Sequence, residues 1–154
     1  MGLADLPVVA LNESRCHYSS WNAEMLRTCL AAGYRCRVLE TDSDILGHGI
    51  LRVADTEAEI LNLCVIPPAQ GHGLGRALLR HLLQTARDSG AEDIFLEVRV
   101  TNERARHLYE AEGFQVIGRR TGYYPTPRGR EDGLILGRSL AQDPPPEPFE
   151  TSYA

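Results

Sequence analysis

Between an apolar extended segment ending at Val65 and a helix-patterned segment beginning at Leu74, three glycines fall on alternate positions in Gln70-Gly71-His72-Gly73-Leu74-Gly75-Arg76. Glycine lets the backbone approach a ligand closely, and a helix that starts there points unpaired N–H groups at it. Together they make an anion site suited to a pyrophosphate. An ordinary strand-to-helix turn needs fewer glycines. Leu74, Ala77, Leu78, Leu82 and Thr85 share one face of the helix, which stops near Ser89-Gly90, and a second apolar strand follows from Ile94 to Val98. A strand, a helix and a strand in that order require a parallel pair, so a βαβ unit is the architectural centre of the chain.

The remaining segments fit around it. Asp5-Leu6-Pro7 pairs a capping residue with a proline and predicts a short first helix, and Asn22 caps a second that carries Met25, Leu26, Cys29 and Leu30 and ends at Gly33. Extended segments Tyr34–Glu40, Ile45–Ala54 and Glu57–Val65, separated by Asp-rich turns, predict an antiparallel meander. After the βαβ unit, Asn102 caps a helix stopped by Gly113, a strand runs from Phe114 to about Gly118, and Gly133–Leu140 closes the sheet. The predicted class is α/β with a mixed sheet, in one domain over residues 1–140. From Ala141 a proline-rich tail to residue 154, with Asp143-Pro144-Pro145-Pro146-Glu147-Pro148, is expected to be extended or disordered.

At 154 residues and 43% apolar content the chain builds one core, with no room for a separate cofactor domain. A net charge of -5 and no basic cluster interleaved with aromatics argue against direct nucleic-acid binding. No apolar run approaches the roughly 20 residues of a membrane span, and no export signal precedes Pro7. Cys16, Cys29, Cys36 and Cys64 lack a C-x-x-C pair and read as reduced thiols of a cytoplasmic protein. No His/Cys/Asp spacing suggests a metal. Nothing in the sequence sets the oligomeric state.

Two common nucleotide motifs fail on spacing. Read as G-x-G-x-x-G from Gly71, the third glycine falls on Arg76, whose side chain obstructs close helix–strand packing, although Glu97 lies where a ribose-binding acid would stand. A phosphate-binding P-loop needs Lys-Ser or Lys-Thr after the glycines, and neither is there.

The pattern Q-x-x-G-x-G after a strand, then helix, strand and Asn-capped helix, resembles the acetyl-CoA site of the GNAT acetyltransferase superfamily. Leu61-Asn62-Leu63-Cys64-Val65, Gln70–Ala77, Leu96–Asn102, Leu108-Tyr109-Glu110, Gly113-Phe114, Tyr123-Tyr124-Pro125-Thr126 and Gly129-Arg130-Glu131-Asp132 are similar to its RimI family. That family acetylates the N-terminal alanine of a small-subunit ribosomal protein, so the resemblance implies that acceptor as partner and acetyl-CoA as co-substrate. It also implies a splay between the two parallel strands. Leu63, Cys64 and Val65 would offer main-chain groups to the pantetheine arm, one backbone N–H polarising the thioester carbonyl. Gly71, His72, Gly73, Leu74, Gly75 and Arg76 would hold the pyrophosphate, and Asn102 would contact the coenzyme.

Amine acetylation needs a base for the amine and an acid for the departing thiolate. The resemblance gives these roles to Glu97, at the C-terminal end of a parallel strand, and to Tyr109 one helix further on. On residue chemistry alone Glu97 reads as a strand-end partner of Arg99 or Arg130 and Tyr109 as a core aromatic. Their placement beside the glycine loop, with the resemblance, favours the catalytic reading. A peptide α-amine, with a pKa of about 8, asks less of a base than a lysine near about 10.4. A covalent role for Cys64 is disfavoured, because no nearby histidine in sequence serves as its base and a cysteine in an apolar strand is usually a buried hydrophobe. His72 could touch a phosphate, whereas His81 reads as a solvated helix residue. Tyr123-Tyr124-Pro125, expected in a loop, would either shape the acceptor pocket or form a rigid turn.

The chain departs from the family in two places. Asp5-Leu6-Pro7 leaves no room for a full strand before the first helix. Relatives often carry a basic residue where Gly71 stands, so phosphate attraction would rest on backbone groups, His72 and Arg76.

Overall fold

The computed structural model describes residues 1–17 and 20–141. A 3-10 turn at Leu3–Asp5 leads into α1 (Leu6–Cys16) and then α2 (Ala23–Ala31). The strands are β1 (Arg35–Glu40), β2 (Ile45–Ala54) and β3 (Glu57–Val65), followed by α3 (Leu74–Asp88), β4 (Asp93–Arg99), α4 (Glu103–Ala111), β5 (Gln115–Thr126) and β6 (Gly129–Ser139). They form one six-stranded sheet in the order β1-β2-β3-β4-β6-β5. Among the described strands only β3 and β4 run parallel, joined through α3 as the sequence requires. The other neighbours are antiparallel.

Successive strand residues point to opposite faces, so adjacent Ile50 and Leu51 of β2 enter different cores. On one face Leu79, Leu82, Leu83 and Ala86 of α3 pack with Leu51, Ile60, Ile94 and Leu96. Each leucine buried there contributes about 1.5–3 kcal/mol. On the other, Leu6 and Val9 of α1 and Leu26 and Cys29 of α2 cover Cys36 and Ile50. Helices thus flank both faces of a mixed sheet, the expected α/β class.

Local signals behave largely as read. Asn22 Oδ1 accepts from Met25 N–H at 2.9 Å, Asn102 Oδ1 accepts from Ala105 N–H at 3.2 Å, and Gly33 and Gly113 end α2 and α4 at φ +80° and +91°. Asp5 does not cap α1 through its side chain. Its Oδ2 accepts the Gly2 N–H at 2.7 Å in the preceding turn instead. Among the described residues no strand precedes α1.

Two expectations need correction. Tyr123-Tyr124-Pro125 lie within β5, which extends past Gly118 to Thr126 and pairs with β6 through register shifts at Val116/Gly118 and Arg120/Tyr124. The bulge, with Gly122 at φ +59°, absorbs what looked like a loop, and Pro125 is tolerated because β5 is an edge strand. The cysteines are not all reduced: Cys16 and Cys64 form a disulfide across 48 residues of sequence. The end of α1 packs on the end of β3 and brings their Cα atoms to 6.1 Å, a separation that short-range spacing does not reveal. Cys29 and Cys36 are free and buried. Of the proline-rich tail only Ala141 is among the described residues. No helix in the described residues is long and apolar enough to cross a membrane.

Gly47 shows how tightly β2 and β3 meet, because a Cβ placed on it would lie 2.6 Å from the Cys64 carbonyl oxygen. Backbone cannot rotate aside as a side chain can. Gly47→Ala is expected to lower the unfolding free energy by about 1–3 kcal/mol in urea titration, the usual cost of overpacking.

Candidate active site

Pairing between the parallel strands ends early. Glu57–Ile60 match Asp93–Leu96 in register, and no pairing follows between Leu61–Val65 and Glu97–Arg99. The cause lies on the other side of β3, where Ile50 pairs with Asn62 and Leu51 with Ile60, leaving Leu61 as an extra residue. Such a bulge bends its strand and adds twist, which carries the end of β3 away from β4 at the residue where their ladder stops. The opening is a cleft of 280 Å³, lined along its two strands by Leu61, Asn62, Leu63, Glu97 and Val98.

Gln70 spans the open end. Its Nε2 donates to the Val65 carbonyl at 2.8 Å, and its Oε1 accepts from Arg104 Nη1 of α4 at 2.9 Å. Gly71 and Gly73 then take φ of +84° and +78°, which glycine adopts without strain, and α3 begins at Leu74 with no side chain capping its first turn. Gly71, His72 and Gly73 are exposed, whereas Leu74 and Gly75 are half-buried. Arg76 is held by Glu112, Nε to Oε1 at 3.1 Å. Among the described residues the loop therefore presents a helix N-terminus that no side chain caps.

Glu97 and Tyr109 both line the cleft, as do Leu63 and Asn102 of the predicted coenzyme contacts. Cys64 and Val65 lie beside it on β3, Cys64 buried and committed to its disulfide. Glu97 is paired with neither Arg99 nor Arg130. Arg120 Nε of β5 meets its Oε1 at 2.9 Å, and the same guanidinium lies 5.0 Å from the centre of the Tyr123 ring. Burial pushes the Glu97 carboxyl above the ordinary range, Arg120 opposing and Glu59 adding to the rise. Tyr109, 7% exposed, packs edge-on against Phe114. Burial, with Tyr124 nearby, drives its hydroxyl well above the usual phenol range, so it stays protonated near neutrality. Tyr124 is pushed up to about 12 by burial, then Glu97 and Tyr123. Arg99 stacks on the Tyr124 ring at 4.6 Å and pairs with Glu131 at 2.9 Å.

The opposite wall holds groups that the sequence reading passed over. Glu13 of α1 is 0% exposed, yet it lines the cleft. Its Oε1 meets His48 Nε2 at 3.2 Å and His17 Nε2 at 3.3 Å, and its Oε2 accepts the Trp21 N–H at 3.0 Å. Burial is the largest influence on its carboxyl and raises it, but His48, His17, the Trp21 N–H and Asn62 together outweigh it and leave it below the ordinary range. Glu13 is thus a buried carboxylate. One signal was available: Leu6, Val9 and Glu13 follow helical i, i+3, i+7 spacing, which puts an acid on a core-facing stripe. Arg120 carries no comparable signal, because the bulge at Arg120/Tyr124 decides where it points.

Comparison with known proteins agrees with this architecture. The model of the acetyltransferase (GNAT) family matches residues 6–114. The chain belongs to the GNAT acetyltransferase family. It is 36% identical over 137 residues to the ribosomal protein bS18-alanine N-acetyltransferase of Escherichia coli K12, covering 89% of this chain and 93% of that one. The Haemophilus influenzae protein of the same name is 33% identical over 125 residues, with 80% and 85% covered. The crystal structure of the Escherichia coli ribosomal-protein-S18-alanine N-acetyltransferase superposes with a TM-score of 0.86 over 97% of this chain and 96% of that chain, at 33% identity. This GNAT chain is an N-acetyltransferase of the kind that RimI represents.

Removing Glu13 would strand His48, itself fully buried. Glu13→Ala is expected to cost about 3–5 kcal/mol of stability, as breaking a buried pair by deleting one partner does. Denaturant unfolding followed by circular dichroism checks it.

Proposed function

We propose that the chain acetylates the N-terminal alanine of a small-subunit ribosomal protein in the cytoplasm, with acetyl-CoA as donor. The observation that carries the reading is the convergence of Glu97 and Tyr109 on the cleft where β3 leaves β4, beside the glycine loop. The acceptor part rests on the similarity to the bS18-alanine N-acetyltransferases.

In this reading the main chain of Leu63, Cys64 and Val65, paired with β2 but not with β4, receives the pantetheine arm on its open side, and one N–H there polarises the thioester carbonyl. Gly71–Arg76 and the first turn of α3 hold the pyrophosphate, and Asn102 contacts the coenzyme from the start of α4. Glu97 takes a proton from the acceptor's ammonium, directly or through water, and the neutral amine then attacks the carbonyl carbon. Tyr109 gives its phenolic proton to sulfur as the carbon–sulfur bond breaks, and the surplus proton on nitrogen restores the phenol through water, leaving an amide and a free thiol. The two environments suit this division: a carboxyl raised by burial holds a proton more readily, and a phenol raised by burial keeps one to give. Glu13 and Glu97 add negative charge on both sides of the cleft, which favours a cationic N-terminus.

Mass spectrometry of an alanine-starting peptide after incubation with acetyl-CoA is expected to show one acetyl group on the α-amine. An unmodified peptide alongside an acetylated lysine or small amine would refute the acceptor. Glu97→Gln and Tyr109→Phe are each expected to lower kcat by about 10²–10⁴ with coenzyme binding retained.

Arg120 gives a pH test with a definite sign. Its cation lowers the Glu97 carboxyl, so Arg120→Gln lets burial raise it further. Because Glu97 must be deprotonated to act, the acid limb of kcat/KM should move to higher pH in that variant. A limb that stays in place would mean that another group titrates there.

A further inference from the structure

The wall of the cleft opposite Glu97 gathers metal-ligating side chains that take no part in the proton transfers of the acetyl-transfer reading. Glu13, His17 and Cys64 each offer one ligand atom, and those atoms all lie within 4.8 Å of one another. Cys16, bonded to Cys64, holds a second sulfur next to that group. We infer that, with the Cys16–Cys64 disulfide reduced, these four side chains form a zinc site, so that one corner of the fold alternates between a disulfide and a zinc thiolate centre.

Three features point to a bound ion rather than chance proximity. His17 Nε2 is buried with no hydrogen-bond partner among the described residues, although it stands 3.3 Å from Glu13 Oε1. Zn–N and Zn–O bonds of about 2.0–2.2 Å at a tetrahedral angle put the two donors about 3.4 Å apart, so the pair already has the spacing of two ligands on one ion. His48 approaches that oxygen from within the core at 3.2 Å, where a second imidazole would fix the ligating carboxylate. The third feature is access: the His17 side chain is 36% exposed and lines the cleft, so an ion can reach a site whose other ligands are largely buried. Two thiolates, an imidazole and a carboxylate suit zinc, whereas magnesium and calcium need oxygen donors.

The disulfide and the metal exclude each other, because a disulfide sulfur lacks the thiolate charge that binds zinc. Opening the bond takes two electrons and two protons from a dithiol reductant, which leaves as its own disulfide while Cys16 and Cys64 become thiols. Zinc then displaces both thiol protons, and neutral His17 and the Glu13 carboxylate complete four ligands. Oxidation runs the sequence backwards and releases the ion. In either state the end of α1 remains tied to the end of β3.

The test uses the full chain, reduced with a phosphine, freed of reductant under anaerobic conditions and titrated with Co²⁺ as a spectroscopic probe. One equivalent is expected to give a thiolate-to-cobalt charge-transfer band, which one equivalent of Zn²⁺ abolishes. The disulfide form should give no band. Cys64→Ser and His17→Gln, with native circular dichroism, should weaken cobalt binding by more than about tenfold, the least that loss of even an outer partner of a ligand costs. Cys29→Ser and Cys36→Ser should leave it unchanged. A reduced, folded chain without the band overturns the inference, as does a band that survives in both Cys64→Ser and His17→Gln. None of these readouts depends on acetyl transfer.

Discussion

One extra residue, Leu61, sets the working geometry of this molecule. Without it β3 would keep its ladder to β4 along its whole length, and the backbone groups of Leu61–Val65 would be satisfied by the neighbouring strand. With it, the ladder to β4 stops at Ile60 and Leu96, and the main chain beyond, still paired with β2, is open on its β4 side. A sheet tolerates such a gap only if the diverging ends are held from outside. Gln70, reaching from Val65 to Arg104, and the disulfide, fixing the end of β3 to α1, hold them here.

The chemistry of the cleft follows from how charge is buried around it. Glu97 sits where desolvation works against ionisation, offset only in part by one guanidinium from the neighbouring hairpin. Glu13, more deeply buried, stays ionised because two imidazoles, a backbone N–H and Asn62 surround it. Two carboxyl groups in one cavity are thereby moved in opposite directions by their surroundings. The guanidinium–tyrosine stacks of Arg99 on Tyr124 and Arg120 on Tyr123 give the rim a rigid outline.

Much of this was legible in the sequence, for local reasons. The βαβ unit, the two asparagine caps, the glycine stops and the glycine loop are written in residues whose backbone preferences act within a few positions. Glu97 and Tyr109 are singled out by the family resemblance, and both line the cleft. What escaped depends on contacts distant in sequence. Cys16 and Cys64 are 48 residues apart, Glu13 and His48 are 35 apart, and Arg120 meets Glu97 from a bulged strand whose second half is expected as a loop. Glu13 alone left a trace, as an acid on an apolar helical stripe.

The irregular β5 has a further effect, on the company the protein keeps. An open six-stranded sheet exposes two borders to which a foreign strand could add. Pro125, two register shifts and the charged Arg119 and Arg120 interrupt one border, and Arg35, Arg37 and Glu40 of β1 place charge along the other. The same distortions that bring a guanidinium to the cleft therefore guard the fold against edge-to-edge self-assembly.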